Sequence, residues 1–241
     1  MKKLYEKEPV WFAVAWIILY VLAFAIGDAL SEAMGQPKML TTIIGGVLTA
    51  VLWGFIRRHD LNKAMGLCPV KGGGRRFLYF VPLILISSVN LWYGLTLNES
   101  IAASVMWVTS MCFVGFLEEV IFRGLLFTAM AKENLKTAVI VASVTFGAGH
   151  IVNLLLGAPL FETLLQLVYA SAIGFCYTAI LIKGGSLLPC ILSHAAVNSL
   201  SIFAVQPSHT LRLIVALVMT LISVGYGMWL LKGSLPQKIT C

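Results

Sequence analysis

Three short groups of polar residues interrupt the apolar stretches of this 241-residue chain, and they carry the groups that hydrolytic chemistry needs. A glutamate can act as a general base, an imidazole can orient or bind a water molecule, and an amide can donate to an oxyanion. The same glutamate and histidine side chains could instead bind Zn²⁺ and leave its fourth position open. The three groups are Glu118-Glu119-Val-Ile-Phe-Arg123, Phe146-Gly-Ala-Gly-His150 and His194-Ala-Ala-Val-Asn198.

The spacing of the first group indicates different roles for its two adjacent glutamates. Residues four apart share one face of an α-helix, so Glu119 can pair with Arg123, whereas Glu118 points elsewhere and has no local counter-charge. A purely structural ion pair would explain Glu119 and Arg123 equally well, but it would not account for a second carboxylate. Glu118 is therefore the carboxylate that a chemical role explains better.

The two histidines are ambiguous when each is considered alone. A single His150 on an apolar helix is more often a packed core residue than a catalyst. His194 and Asn198 are spaced to share a helix face and could simply be an interhelical hydrogen-bond pair. Together with the glutamates they place costly polar groups in three separate apolar segments, and that combination indicates a functional site.

The elements that must position these residues are transmembrane helices. The chain is 59% hydrophobic and only 11% charged, whereas soluble domains are about 45–50% apolar and about 25% charged. Disordered, collagen-like and disulfide-scaffold proteins are excluded as well. We expect an all-α polytopic membrane protein with a single integral membrane domain over residues 1–241 and about eight transmembrane helices. Their approximate positions are Val10–Leu30, Met39–Ile56, Phe77–Leu97, Ile101–Ala131, Thr137–Val152, Leu160–Ile182, Leu187–Val205 and Leu211–Leu231.

The basic residues predict the orientation of these helices. The net charge is +7, and the excess of lysine and arginine in cytoplasmic loops explains it better than nucleic-acid binding, so we expect no nucleic-acid partner. If the N-terminus is cytoplasmic, only Lys38 and Arg212 lie on the outer side. Both termini are then cytoplasmic, and residues 71–76 form a flexible cytoplasmic loop near anionic headgroups. The fourteen basic residues on the inner side are Lys2, Lys3, Lys7, Arg57, Arg58, Lys63, Lys71, Arg75, Arg76, Lys132, Lys136, Lys183, Lys232 and Lys238.

Taken together, the three polar groups resemble the motifs of the CAAX proteases and bacteriocin-processing enzymes, the CPBP or Abi family. The family patterns are E-E-x-x-x-R, F-x-x-x-H and H-x-x-x-N, in this order on separate helices, and all three match without a substitution. The resemblance covers about Trp107–Phe203, within a protease-like core at about residues 101–205. It implies an intramembrane endopeptidase that acts on a peptide or protein substrate at the lipid bilayer of the cell membrane.

The resemblance also implies the roles of the site residues. By position, Glu118 corresponds to the glutamate that activates water, His150 helps to hold that water, and His194 and Asn198 line the oxyanion side. The family is described both as metalloproteases and as metal-free glutamate proteases. The cofactor is therefore either Zn²⁺ or another divalent metal, or there is none. If a metal binds, its ligands would be Glu118, His150 and His194.

Three further residues are expected to support the site. Glu119 and Arg123 would form the supporting ion pair, and Phe146 would pack against the site without a chemical role. Because His194 is predicted about 10 Å from the cytoplasmic end of its helix, we expect a site within the membrane that water reaches from the cytoplasm.

Other functions and substrates fit the same residues. The chain could be a bacteriocin self-immunity protein that binds its target without proteolysis. A transporter with a proton relay of buried glutamate and histidine ranks last, because no internal repeat is visible. For a protease, the substrate could be a prenylated C-terminal box or the leader of a bacteriocin or signalling peptide.

Overall fold

The computed structural model describes residues 1–70 and 77–232, and the flexible loop predicted at residues 71–76 lies outside them. Within the described residues the chain forms helices connected by short turns, without any strand. Their bounds are α1 (Lys2–Lys7), α2 (Pro9–Ala33), α3 (Met39–Arg58), α4 (Leu78–Tyr93), α5 (Ile101–Met130), α6 (Leu135–Leu155), α7 (Leu160–Gly184), α8 (Leu188–Phe203) and α9 (His209–Leu231).

The expectation of an all-α polytopic membrane protein is confirmed. All eight predicted apolar segments form helices, α2 to α9, but only six are long and apolar enough to cross a bilayer. The other two, α4 and α8, have 10–17 residues, and a helix that short does not reach across a hydrocarbon core of about 30 Å. Residues 1–70 and 77–232 therefore contain six full spans and two shorter apolar helices, where the sequence predicts about eight spans.

Local sequence signals fix where several helices begin. The side chains of Ser100, Asn134 and Ser208 accept hydrogen bonds from the backbone at the starts of α5, α6 and α9. Such caps satisfy backbone N–H groups that have no partner within the helix. Prolines occupy the first turns of α2 and α8, where a missing N–H costs nothing.

Two glycines allow the helices that carry the polar motifs to approach closely. A Cβ atom on Gly115 of α5 would lie 2.7 Å from the backbone nitrogen of Ala195 in α8. A Cβ atom on Gly147 of α6 would lie 1.9 Å from Ser171 Oγ in α7. Since real Cβ atoms do not come so close to other atoms, only glycine permits these crossings. They hold α5 against α8 and α6 against α7.

The two ends of the helix bundle are built differently. At one end, the turn between α7 and α8 is buried beneath residues 61–70: Leu187 N–H donates to the Gly66 carbonyl at 2.8 Å, and Ser186 Oγ donates to the Cys68 carbonyl at 2.6 Å. The turn that precedes α8 is therefore buried, whereas Leu188, the first residue of α8, is exposed.

At the other end, the segment after α4 pairs with the segment after α8. Leu95 and Ala204 form an isolated antiparallel bridge, and Thr96 N–H donates to the Phe203 carbonyl at 2.8 Å. This pairing ends both short helices at the same level. It also borders a cavity that opens between the helix ends.

Candidate active site

Helix α5 changes its geometry where the glutamate motif lies. Glu118 and Glu119 are the last two residues of its α-helical part, and a π-helical stretch, Val120–Phe127, follows directly. All eight residues of that stretch are buried, including Arg123. Wider π-helical turns inside α-helices are frequent at functional sites.

Glu119 and Arg123 form a fully buried pair, and both side chains are 0% exposed. Arg123 Nη1 donates to Glu119 Oε1 at 3.0 Å. The guanidinium carbon lies 4.0 Å from the centre of the Phe146 ring and 5.7 Å from that of Tyr177. Such cation–π contacts stabilise a charge that water cannot reach. The pair is therefore held from two neighbouring helices, α6 and α7.

His194 connects this pair to the second glutamate. Its Nδ1 atom lies 2.9 Å from Glu119 Oε1, the same oxygen that accepts from Arg123. An ionised carboxylate can only accept, so Nδ1 carries the proton of this hydrogen bond. The other ring nitrogen, Nε2, lies 3.8 Å from Glu118 Oε2. Glu119 thus orients the imidazole so that Nε2 faces Glu118.

Glu118 points away from Arg123, towards α2. Tyr20 of that helix donates its hydroxyl proton to Glu118 Oε1 at 2.5 Å. The other carboxylate oxygen faces His194 Nε2 at 3.8 Å, which is too long for a direct hydrogen bond. The side chain of Glu118 is 13% exposed, whereas that of Glu119 is fully buried.

His150 is fixed by the backbone of its own helix. Its Nδ1 atom lies 3.2 Å from the Phe146 carbonyl oxygen and 3.3 Å from that of Gly147. Carbonyl oxygens only accept, so Nδ1 donates and the neutral ring keeps Nε2 as an acceptor. The Phe146 ring packs edge-on against both His150 and His194, with its centre 5.6 Å from each imidazole centre.

Asn198 lies one turn after His194 on α8. Its backbone carbonyl accepts from Trp107 Nε1 at 3.2 Å and from Ser201 Oγ at 2.6 Å. Its side-chain amide makes no hydrogen bond with another described residue, and it lines the cavity. The backbone is therefore anchored while the amide is available to a ligand.

A cavity of about 550 Å³ borders these residues, within the usual range for ligand sites of about 300–1,000 Å³. His150, His194, Asn198 and Phe146 are among the residues that line it, whereas Glu118 is not. The structure thus brings the two imidazoles and the amide to one cavity. Glu118 is next to His194 but does not line the cavity. Further lining residues are Trp107, Tyr177, Glu162, Gln166 and Arg212.

Sequence reasoning missed several residues that contact the site. Tyr20 and Trp107 are aromatic residues in apolar helices, and nothing in the sequence distinguishes them from lipid-facing ones. Tyr177 packs near His194, with 6.3 Å between ring centres, and its hydroxyl donates to Ser193 Oγ at 3.0 Å. Glu162 pairs with Arg212 at 3.2 Å on the cavity wall.

The residues expected to bind a metal do not form such a site in this arrangement. No group of three or more His, Cys, Asp or Glu side chains in the described part of the chain could hold a metal ion. The Nδ1 atoms of His150 and His194 bond to backbone carbonyls and to Glu119, so Nε2 is the nitrogen that each ring has left for a ligand.

Comparison with known families agrees with this geometry. Residues 100–200 match the family model described as Rce1-like, type II CAAX prenyl endopeptidase. That segment is similar to this family over fewer than half of the 241 residues. It contains all seven residues that the motifs single out, so the resemblance seen in the sequence is confirmed. No curated protein and no solved structure matches the chain. The match supports, in general terms, a CAAX-type protease integral to the membrane.

Proposed function

We propose that this protein is an intramembrane endopeptidase of the CAAX type that hydrolyses a peptide bond with water activated by Glu118. The observation that supports the proposal is that the two glutamates differ in their hydrogen-bond partners. Glu119 is held by Arg123 and His194, whereas Glu118 presents one carboxylate oxygen to His194 Nε2 at 3.8 Å. A base needs such an uncommitted oxygen within reach of a water molecule.

In the first step, Glu118 Oε2 takes a proton from a water molecule as the water oxygen attacks the carbonyl carbon of the substrate. Tyr20 donates to Oε1 and so directs Oε2 to the proton. His150 Nε2, which carries no proton, accepts the second hydrogen of the water and orients its lone pair. A carbon–oxygen bond forms, and the carbonyl electrons move to the carbonyl oxygen.

The resulting oxyanion needs donors on the side of α8. The side-chain amide of Asn198 and the Nε2–H of protonated His194 are available there. Protonated His194 is stabilised by the negative charge of Glu119, as a buried carboxylate stabilises the imidazolium in catalytic triads. Glu118 then transfers its proton to the leaving nitrogen, and the carbon–nitrogen bond breaks.

A cleavage assay in detergent micelles tests this function. Candidate substrates are a prenylated peptide with a C-terminal CAAX box and leader peptides of bacteriocins or signalling peptides, each with and without a chelator. We expect the wild-type protein to cleave one of them in either condition. The Glu118→Gln variant should be slower by a factor of about 10²–10⁴, the usual contribution of a general base. Glu133→Gln, at an exposed position outside the site, is the matched control.

Three results would contradict the proposal. Normal cleavage by Glu118→Gln would remove that residue as the base. Loss of cleavage with the chelator, restored by Zn²⁺, would replace the metal-free mechanism. Tight peptide binding without cleavage of any candidate would favour a self-immunity protein that only binds its target.

A further inference from the structure

The cavity opens at one end of the helix bundle and extends towards the middle of the bundle. Its walls come mostly from the C-terminal halves of α4, α6 and α8 and from the N-terminal halves of α5, α7 and α9. Contacts between these ends confirm that they lie together: Arg212 at the start of α9 pairs with Glu162 at the start of α7 at 3.2 Å. The N-terminus of α2 and the C-terminus of α9 belong to the opposite end.

The basic residues distinguish the two ends clearly. Among the described residues, ten lysines and arginines lie at the end opposite the cavity, and two lie at the cavity end. Both of those two are neutralised, because Lys38 Nζ lies 2.8 Å from each oxygen of Asp28 and Arg212 pairs with Glu162. By contrast, Arg57 and Arg58 at the opposite end are exposed. Lysine and arginine accumulate on the cytoplasmic side, so the cavity end faces away from the cytoplasm.

The opposite end is closed in the described residues. Residues 61–70 cover the turn between α7 and α8 through the hydrogen bonds of Gly66 and Cys68. Met65 and Leu67 of this cover are buried, and so is Leu187 of the turn. A path from the cytoplasmic end to His194 would have to pass this packed layer.

We infer that the cavity opens on the non-cytoplasmic face of the membrane and receives an extracytoplasmic peptide segment. The substrate part of this inference rests on the proposed protease function. The opening is opposite to the one expected from the sequence, where the depth of His194 was counted from a helix start at the membrane surface. A prenylated C-terminal box exposed to the cytoplasm would lie at the closed end, away from the cavity opening.

The rim of the cavity suits a peptide backbone. Asn153 Nδ2 donates to Gln166 Oε1 at 2.9 Å, and Arg212 Nη2 donates to Gln206 Oε1 at 3.4 Å. Amide groups such as these can exchange hydrogen bonds with the N–H and C=O groups of an extended peptide.

Cysteine labelling in intact cells tests the orientation without requiring activity. The pair of variants is Gln206→Cys at the cavity rim and Glu133→Cys at the opposite end, both at exposed loop positions. The wild-type chain gives the background from the native cysteines. A membrane-impermeant maleimide should label Gln206→Cys before permeabilisation and Glu133→Cys only afterwards. The reverse pattern would overturn the inference.

A sided cleavage assay then tests the substrate class. The peptide cleaved in detergent is added to right-side-out and inside-out membrane vesicles of cells expressing the protein. We expect cleavage with right-side-out vesicles only. Cleavage only with inside-out vesicles would overturn the inference and leave the protease function intact. If no peptide is cleaved even in detergent, the protease function fails, and with it the substrate part of the inference, while the labelling result still decides the orientation.

Discussion

The site has two groups of polar residues that are held in different ways, a buried group and a group that faces the cavity. We call them the closed side and the open side of the site. The closed side comprises Glu119, Arg123 and Tyr177, where an ion pair and cation–π contacts fix charges that are fully buried. The open side comprises His150 and Asn198, where the backbone holds the residue and leaves a reactive atom facing the cavity. The difference indicates that the closed side provides stability and the open side provides chemistry.

The sharpest way to break this comparison is to exchange each of the two glutamates for glutamine. Glu119→Gln should lower the free energy of unfolding by roughly 3–5 kcal/mol, because it leaves the charge of Arg123 buried without its partner. Thermal unfolding in detergent micelles measures the effect. Glu118→Gln, which keeps the shape of a partly exposed side chain, serves as the control and should unfold near the wild-type temperature. Equal unfolding temperatures for the two variants would mean that Glu119 contributes no more to stability than Glu118, and the proposed difference between the two sides would be wrong.

On the open side, the amide of Asn198 should matter for rate and not for stability. Asn198→Asp keeps the shape but replaces the N–H donors by a carboxylate, which repels an oxyanion. Loss of one oxyanion donor typically lowers kcat by a factor of about 10²–10³. Single-turnover cleavage and thermal unfolding should be measured on the same preparation. A lower unfolding temperature with unchanged kcat would make Asn198 a structural residue.

Tyr20 tests whether α2 contributes to the function of the site. Tyr20→Phe removes the hydroxyl that donates to Glu118 Oε1. A hydrogen bond to a charged group is worth about 1.5–3 kcal/mol, so cleavage should slow by roughly ten- to a hundredfold. Tyr226→Phe, which loses a hydroxyl bonded to the Leu78 carbonyl away from the site, is the control. If both variants cleave at the same rate, Tyr20 does not position the base.

The smallest expected effect is a loss of stability at the crossing of α5 and α8, which brings the two sides of the site together. Gly115→Ala would place a Cβ atom 2.7 Å from the Ala195 backbone nitrogen and force α5 and α8 apart. Overpacking of this kind costs about 1–3 kcal/mol. Gly54→Ala on α3 is the matched control, because its Cβ atom would meet nothing within 4 Å. Unfolding temperatures that fall equally in both variants would indicate lost helix geometry in general and not this crossing.

Hydropathy predicts the fold well because a spanning helix must satisfy its backbone within itself. All eight apolar helices occur where the sequence indicates them. The shortness of α4 and α8 could not be predicted, since tertiary contacts end these helices. Leu95 pairs with Ala204, and Leu187 bonds to Gly66, far away in the chain.

The motif residues are visible in the sequence because ionisable groups in apolar segments are costly and therefore stand out. Their partners are not visible. Tyr20 lies 98 positions before Glu118, and a tyrosine in an apolar helix gives no signal of its own. The bond between Glu119 and His194 joins residues 75 positions apart, and only the packing of α5 against α8 creates it.

The shortness of α8 has a consequence for biogenesis. A helix of this length does not span the hydrocarbon core and gains little from entering the lipid alone. It reaches a stable position only by docking against α5, which carries Gly115 at the contact. Since α5 precedes α8 in the chain, its docking surface is synthesised first. His194 and Asn198 therefore reach the glutamates at a late stage of assembly. By then the parts of the cavity wall on α5, α6 and α7 have entered the membrane.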